Sequence, residues 1–379
     1  MAFSNDKVTP HGNLPLYEQT MLVLQSLIKA GGLSAGDRLP SERELREKYN
    51  LSSTTVRRAL LELEKAGLIY RHHGLGTFIA SRKRSPRLAL LVTGYDAESW
   101  RQHGSMIVGQ LVGGVCEASW EHDAIVSVMH ISAGLPLKPL LSAIVNDRHF
   151  DGVLLRLAGE VKHDDVEFLE TKQFPYVVVR RYLPDREINC VISDWEKDGF
   201  EATDHLIRLN HRRIGLVLGP RDLGMFRDRE QGYIRALKTA GLPIDPDVIL
   251  SASNFTEQDG YIQTKGLFAG ASPPKAILVA ESLMCIGAYA ALRELGLRIP
   301  EDVAVVGSDD GSVGDTLNPP LTAITTPLYD VGVEAAKLLL ETMETGRISR
   351  RAVLVESRLI LRESCGARLN QSTRGTAPA

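Results

Sequence analysis

The chain has 379 residues, 44% apolar and 24% charged, an ordinary globular mixture that excludes disorder, collagen and a disulfide scaffold as its overall class. At roughly 100–200 residues per domain, two or three domains are expected. The net charge of −3 conceals an asymmetry: residues 1–86 carry 13 Lys and Arg against 8 Asp and Glu, a local +5, and the remainder carries −8. A small basic segment joined to an acidic body points to a polyanion binder with a separate second task.

Cys116, Cys190, Cys285 and Cys365 lie far apart with no Cys-x-x-Cys pair. That leaves no zinc or redox spacing and fits a reducing compartment; no metal and no cofactor is expected. Residues Met1-Ala-Phe-Ser-Asn-Asp-Lys7 show no basic-then-apolar signal pattern. No apolar stretch approaches the roughly 20 residues of a membrane helix, so a cytoplasmic protein without a membrane partner is expected.

In chain order, Leu24, Leu27 and Ile28 give an apolar stripe to a first helix over 16–30, stopped by Gly31 and Gly32. Ser41-Glu-Arg-Glu44 is a capping-box sequence opening a second helix that ends near Tyr49 and Asn50. Ser52 can cap a third helix running to Gly67. On it Val56, Ala59, Leu60, Leu63 and Ala66 share one face, with Thr54, Arg57 and Arg58 roughly opposite at about 100° per residue. Residues 68–80 read as two short strands around His72-His73-Gly74-Leu75-Gly76. The polar and basic stretch Ala80-Ser-Arg-Lys-Arg-Ser-Pro86 reads as a linker. The expected division is therefore a domain over 1–80, a linker over 81–87, a larger domain over 88–366 and a polar tail over 367–379.

Beyond the linker, the apolar runs 88–92, 124–129, 153–155, 176–179, 214–218, 276–279 and 303–306 alternate with spans long enough for crossover helices. That pattern predicts an α/β architecture of parallel sheets covered on both faces and long enough for two lobes, with a ligand crevice at the carboxyl ends of the strands.

A short helix, a tight turn and an amphipathic helix presenting Thr54, Arg57 and Arg58 suit a helix-turn-helix that enters the major groove of double-stranded DNA. Arginine can grip a phosphate or a guanine edge bidentately, and threonine can bond either phosphate or base. Taken alone, Arg57 and Arg58 fit a solvated helix face equally well.

Five motifs then fall in order and spacing: Pro15-Leu-Tyr-Glu-Gln19, Gly36-Asp-Arg-Leu-Pro-Ser-Glu-Arg-Glu-Leu45, Ser53-Thr-Thr-Val-Arg-Arg-Ala-Leu60, Leu63-Glu-Lys-Ala-Gly-Leu68 and Gly74-Leu-Gly-Thr-Phe78. Residues 15–80 resemble the winged helix-turn-helix of the GntR family. The resemblance implies DNA contacts from Arg43, from Thr54 and Arg57 on the recognition helix, and from His73 and Gly74 in the wing, with Arg38, Ser53 and Thr55 beside them. Ser53 stands where the family often has arginine and is too short for a bidentate guanine contact, so the usual operator core does not transfer.

In the acidic body, polar groups recur at strand ends: Tyr95 and Asp96, Arg156, Asp194 and Trp195, Asp309 and Asp310. Acceptors, fork donors and an aromatic face in one cleft suit a polyhydroxylated ligand. A single such Asp is more often a turn or helix-cap residue, and the repetition on one side of the sheet is what favours a site.

Residues 87–365 resemble the periplasmic-binding-protein-like sensor of the LacI/GalR regulators. The resemblance is carried by Asp194 with Gly199 and His205-Leu206, His211-Arg-Arg-Ile-Gly215, Arg229-Glu-Gln-Gly-Tyr233, Gly296-Leu-Arg-Ile-Pro-Glu-Asp-Val-Ala-Val-Val-Gly-Ser-Asp-Asp310, Asn318-Pro-Pro-Leu-Thr322 and Leu359-Ile-Leu-Arg-Glu-Ser364. It implies that Arg229 and Asp309 bind the effector. Glu281-Ser282 replaces a usual Asn-Asp pair, which loosens any transfer of ligand identity. The fusion of the two types is similar to the arabinose-responsive AraR subgroup.

No Gly-x-Ser-x-Gly elbow, phosphate loop, dinucleotide fingerprint or His-Glu-x-x-His motif occurs, so no catalytic residue and no enzyme is expected. A free-standing solute receptor is the rival reading, and it predicts a secretion signal without a basic front domain. The sequence-level expectation is a homodimeric repressor of operator DNA controlled by a small-molecule effector, a carbohydrate first.

Overall fold

The computed structural model describes residues 14–29, 36–65, 67–72, 75–80, 85–93, 105–131, 136–146, 149–309 and 313–367. His73, Gly74, Tyr95, Asp96 and Asp310 lie outside the described residues. Contacts divide the chain into two units, Met1–Arg84 and Ser85–Ala379.

The first unit holds α1 (Leu16–Lys29), α2 (Glu42–Tyr49), α3 (Ser53–Lys65), β1 (Ile69–His72) and β2 (Gly76–Ile79). The capping box at α2 is complete: Ser41 Oγ accepts the Glu44 N–H at 3.3 Å, and the Glu44 carboxylate accepts the Ser41 N–H at 2.6 Å. Such a cap contributes about 1 kcal/mol. Asn50, at φ 49°, ends α2 in the left-handed region, which asparagine enters more readily than most residues. The chain thereby turns sharply into α3.

Val56, Leu60 and Leu63 of α3 pack on Leu24, Leu39, Leu45, Ile69 and Ile79. Each fully buried side chain of this size contributes about 1.5–3 kcal/mol. The hairpin is antiparallel with Ile69 opposite Ile79 and His72 opposite Gly76. Residues 36–39 run beside β2, where Leu39 N–H donates to Thr77 O at 2.8 Å and Ile79 N–H to Asp37 O at 2.9 Å.

The second unit contains two six-stranded sheets. One lobe is built from β3 (Arg87–Thr93), α4 (Ser105–Trp120), β4 (Ile125–Ile131), α5 (Leu137–Asn146), β5 (Gly152–Arg156), α6 (His163–Thr171), β6 (Tyr176–Val179) and β7 (Cys190–Ile192). The chain then crosses into the other lobe. That lobe holds α7 (Trp195–Arg208), β8 (Ile214–Leu218), α8 (Gly224–Thr239), β9 (Ile249–Ser251), α9 (Glu257–Phe268), β10 (Ala276–Val279), α10 (Ser282–Glu294), β11 (Ala304–Asp309), α11 (Val313–Thr316) and β12 (Thr322–Thr325). It returns through α12 (Leu328–Thr345) and β13 (Ala352–Leu354), then crosses once more to β14 (Arg358–Ile360). The lobes are thus joined at three places.

Sheet order is β13-β7-β6-β5-β3-β4 in the first lobe, all parallel, and β14-β12-β11-β10-β8-β9 in the second, where only β14 runs antiparallel. The expected parallel strands are present, and β5, β6, β8 and β10 are buried throughout. β4 departs from the expectation of two covered faces. It is an edge strand whose Ile125 and Val128 are exposed. The strands absent from the sequence reading, β9, β12, β13 and β14, have three or four residues each, too few for a periodicity to register.

Helices α7 and α8 approach backbone to backbone. A Cβ on Gly232 would come within 2.0 Å of Glu196 O, and one on Gly199 within 2.2 Å of Arg229 O. Only glycine permits that approach, which fixes the height of Arg229 within the lobe.

Candidate functional site

In the first unit the exposed edge of α3 carries the predicted residues. Ser52 Oγ accepts the Thr55 N–H at 3.1 Å, closing the start of the helix, and lies 2.8 and 2.7 Å from the hydroxyls of Thr54 and Thr55. Ser53, the first helical residue, is half-buried and Thr54 is exposed. Arg57 Nε donates to Glu42 on α2 at 3.0 Å, and Arg43 Nε to Glu47 at 2.9 Å. Surface pairs of this kind are worth about 0–1 kcal/mol, so exchanging a carboxylate for an incoming phosphate costs little. Arg38 lies over the hairpin: a Cβ on Gly76 would meet its Nε at 2.8 Å.

Arg58 is exposed like Arg57, as expected, and places its guanidinium 4.0 Å from the Tyr17 ring of α1. Its cation–π contact ties α3 to α1. Both arginines lie on the exposed face expected from the helical periodicity, and helix packing supplies different partners, Glu42 for Arg57 and Tyr17 for Arg58.

In the second unit the polar groups follow strand ends, and their environments differ. Arg229 is 2% exposed. Its Nη1 donates to Ala280 O at 3.0 Å, its Nη2 lies 4.0 Å from Asp198 Oδ2, and its Nε has no partner in the structure. Asp309 is buried at the end of β11, where its oxygens accept the N–H groups of Val313 and Gly314, each at 3.1 Å. Glu281, also buried, precedes α10 without capping it through its side chain.

Arg229, Glu281 and Asp309 converge near one thiol. Burial, then the charges of Asp309 and Glu281, push Cys285 well above its ordinary range, against the opposing charge of Arg229. Arg156 is buried at the end of β5, with Nη1 donating to Leu157 O at 3.0 Å. Asp194 is exposed and accepts the Lys197 N–H at 2.9 Å, the ordinary work of a helix cap.

Trp195 is 2% exposed, its Nε1 has no partner, and its ring stacks on Tyr182 with centroids 6.1 Å apart. Beside it lies a cavity of about 270 Å³, lined by Lys162, Arg181 and Tyr182 of the first lobe and by Trp195, Asp222 and Arg227 of the second. Of the predicted effector residues that are described, Trp195 alone lines it. Arg156, Arg229, Glu281 and Asp309 are buried away from its wall.

The reading of strand ends passed over Arg181 and Tyr182, which follow β6, and Asp222 and Arg227, which follow β8. The same position rule would have found Arg181 and Tyr182, which lie just beyond Val179, but not Arg227, which lies within α8. Arg181 fastens the first lobe's loops, donating to Gly159 O at 3.0 Å, Arg180 O at 2.6 Å and Ala158 O at 2.5 Å. Burial raises the Tyr182 phenol and also raises Asp228, against the hydrogen bond from Tyr182 and the charge of Arg227.

Among the described residues no group of three His, Cys, Asp or Glu side chains could hold a metal ion, and no helix is long and apolar enough to cross a membrane.

Residues 16–79 match the bacterial regulatory proteins of the gntR family, and residues 203–365 match the periplasmic binding protein-like domain. The HTH-type transcriptional repressor CytR of Escherichia coli strain K12 is 31% identical over 225 residues, 59% of this chain and 65% of that repressor, so the match spans less than two thirds of its length. The arabinose metabolism transcriptional repressor of Geobacillus stearothermophilus is 28% identical over 372 residues, covering 93% of this chain and 98% of that one. The solved complex of the transcriptional regulator CelR with cellobiose aligns over 83% of this chain and 91% of the other, with a TM-score of 0.67 at 29% identity.

Proposed function

From a chain that belongs to the regulators joining a GntR-type DNA-binding domain to a periplasmic-binding-protein-like domain, we propose a cytoplasmic transcriptional repressor whose operator affinity is set by a sugar. The carrying observation is the pairing of two unlike regions in one chain: an exposed, weakly paired Arg57 beside Thr54, and a cavity between two lobes with Trp195 in its lining. Arg43, Thr54, Thr55 and Arg57, with Arg38 toward the hairpin and Ser53 at the helix start, would face the duplex. Phosphate contacts would supply most of the affinity and make it fall with salt. Two copies on a pseudo-palindromic site multiply the few base contacts of one reader, hence a homodimer.

The cleft reading rests on Trp195 as an aromatic platform with Asp222 and Arg227 beside it as acceptor and donor, while Arg229, Glu281 and Asp309 are buried outside that lining. Hydroxyl-rich ligands need donors, acceptors and a ring face together. The CelR complex with cellobiose and the arabinose repressor support a carbohydrate over other neutral ligands. A ligand that prefers one lobe arrangement shifts the population by no more than its differential affinity, and the DNA readers respond through the same equilibrium.

The test has two steps. The full-length chain is used to select duplexes from a random pool, and sugars and nucleosides are screened for a rise in melting temperature. The reading requires an enriched sequence whose binding changes when a stabilising sugar is added. Selection that returns only unenriched pool would reject the DNA role, and an enriched duplex indifferent to every stabilising compound would reject the coupling.

A further inference from the structure

We propose that Tyr182 and Asp228 form the closing contact of the cleft, a positioning pair that holds its two walls together over Trp195 and sets how readily a ligand enters. Tyr182 belongs to the first lobe, three residues beyond the end of β6; Asp228 stands on α8 of the second, next to Arg229. The Tyr182 hydroxyl donates to the Asp228 carboxylate, whose oxygens lie 2.9 and 2.8 Å away. Arg227 Nη2 donates to the same hydroxyl at 3.4 Å.

The phenol ring does two further things. It stacks on Trp195 at 6.1 Å between centroids, and it covers the start of α8 so closely that a Cβ on Gly224 would come within 2.6 Å of it. Tyr182, Gly224, Trp195 and Arg227 all line the cavity of about 270 Å³. Beside them Arg181 Nη1 of the first lobe reaches Met225 Sδ of α8 at 3.3 Å. A single side chain therefore roofs the indole, fills the gap left by a glycine and bonds a carboxylate of the opposite lobe.

Three short crossings connect the lobes, so any opening about them must part Tyr182 from α8. A hydrogen bond to a charged acceptor in a half-buried setting shifts an equilibrium by about ten- to a hundredfold. Closure thus carries a threshold independent of ligand. The consequence for an effector rests on the regulatory reading above; the contact itself does not.

The experiment needs no ligand. In the full-length chain carrying Trp100→Phe and Trp120→Phe, Trp195 is the remaining tryptophan, and acrylamide quenching reports its exposure. Tyr182→Phe and Asp228→Ala are each expected to raise the quenching constant severalfold at a temperature below the melting transition. The double variant should add nothing to the larger single effect, since both remove one bond. Tyr261→Phe, which removes a surface bond to Glu294, is the control and should leave quenching unchanged. Unchanged quenching in both variants, strictly additive effects, or a parent whose Trp195 is already as accessible as free tryptophan would each overturn the proposal. Circular dichroism melts separate cleft opening from general unfolding. Loss of operator binding or sugar response elsewhere would defeat the regulatory reading while leaving this result standing.

Discussion

Arginine serves the two units in opposite ways. In the first, the side chains of Arg57 and Arg43 are 68% and 84% exposed and rest on single carboxylates. In the second, Arg229 and Arg181 are 2% and 5% exposed and are held by main-chain carbonyls. A guanidinium in high dielectric exchanges partners at little cost, and one inside the protein cannot leave without abandoning a desolvated bond. The first unit therefore presents guanidinium groups free to exchange partners, as the proposed DNA contact requires. The second holds its guanidinium groups fixed inside the fold, which under the proposed function makes them framework rather than movable contacts.

That contrast can be broken most severely at Arg229. Arg229→Ala strands buried acidic neighbours and is expected to cost the second unit about 3–5 kcal/mol, read as a lower urea midpoint, with the sugar response lost as well. An unchanged midpoint would mean that the buried guanidinium is not structural. Arg57→Ala should do the reverse. Operator affinity falls by about 1–3 kcal/mol in a gel-shift titration, whereas the melting temperature barely moves, as for other exposed positions. A large loss of stability there would erase the distinction between the two arginine classes.

Ser52→Ala sharpens the picture within the first unit. Loss of the cap on α3 is expected to cost about 0.5–2 kcal/mol and to release the hydroxyls of Thr54 and Thr55. Both stability and operator discrimination should fall, the former measured by thermal melts and the latter by competition with random duplex.

The smallest effect is a pH dependence confined to the second unit. Burial raises the Glu170 carboxyl, but hydrogen bonds from Arg350, Tyr176 and Arg186 outweigh it and hold the group below its usual range. A depressed acid contributes stability that is complete above the ordinary glutamate range and is lost as pH falls through its folded value. Glu170→Gln should therefore narrow the fall in melting temperature between neutral and mildly acidic buffer. An identical fall in parent and variant would assign the acid sensitivity to other groups.

How far each region could be read from sequence follows from the range of its interactions. The helix-turn-helix is written in local signals: the Ser41 and Glu44 box, the left-handed Asn50, and the 3.6-residue spacing of Val56, Leu60 and Leu63. Parallel strands such as β5 and β6 announce themselves because burial on both faces demands unbroken apolar runs. The candidate cleft was only partly legible. Strand-end position drew attention to Trp195 and Asp309, and the family resemblance alone to Arg229, but strand-end position drew equal attention to Asp194, which the structure uses as an exposed helix cap. It passed over Tyr182, whose partners on α8 lie 42 to 46 residues away in sequence.

Composition and periodicity alone indicated a basic front segment, an acidic α/β body and the helical face that carries Thr54 and Arg57, because those properties depend on residues within a few turns of one another. Tertiary structure alone decided that Arg58 would lie over Tyr17 while Arg57 paired with Glu42, that Asp309 would spend its oxygens on main-chain N–H groups, and that Tyr182 would reach Asp228 across the cleft. Those outcomes depend on which distant surfaces meet, and the low dielectric of the interior then fixes the partner each polar group must take.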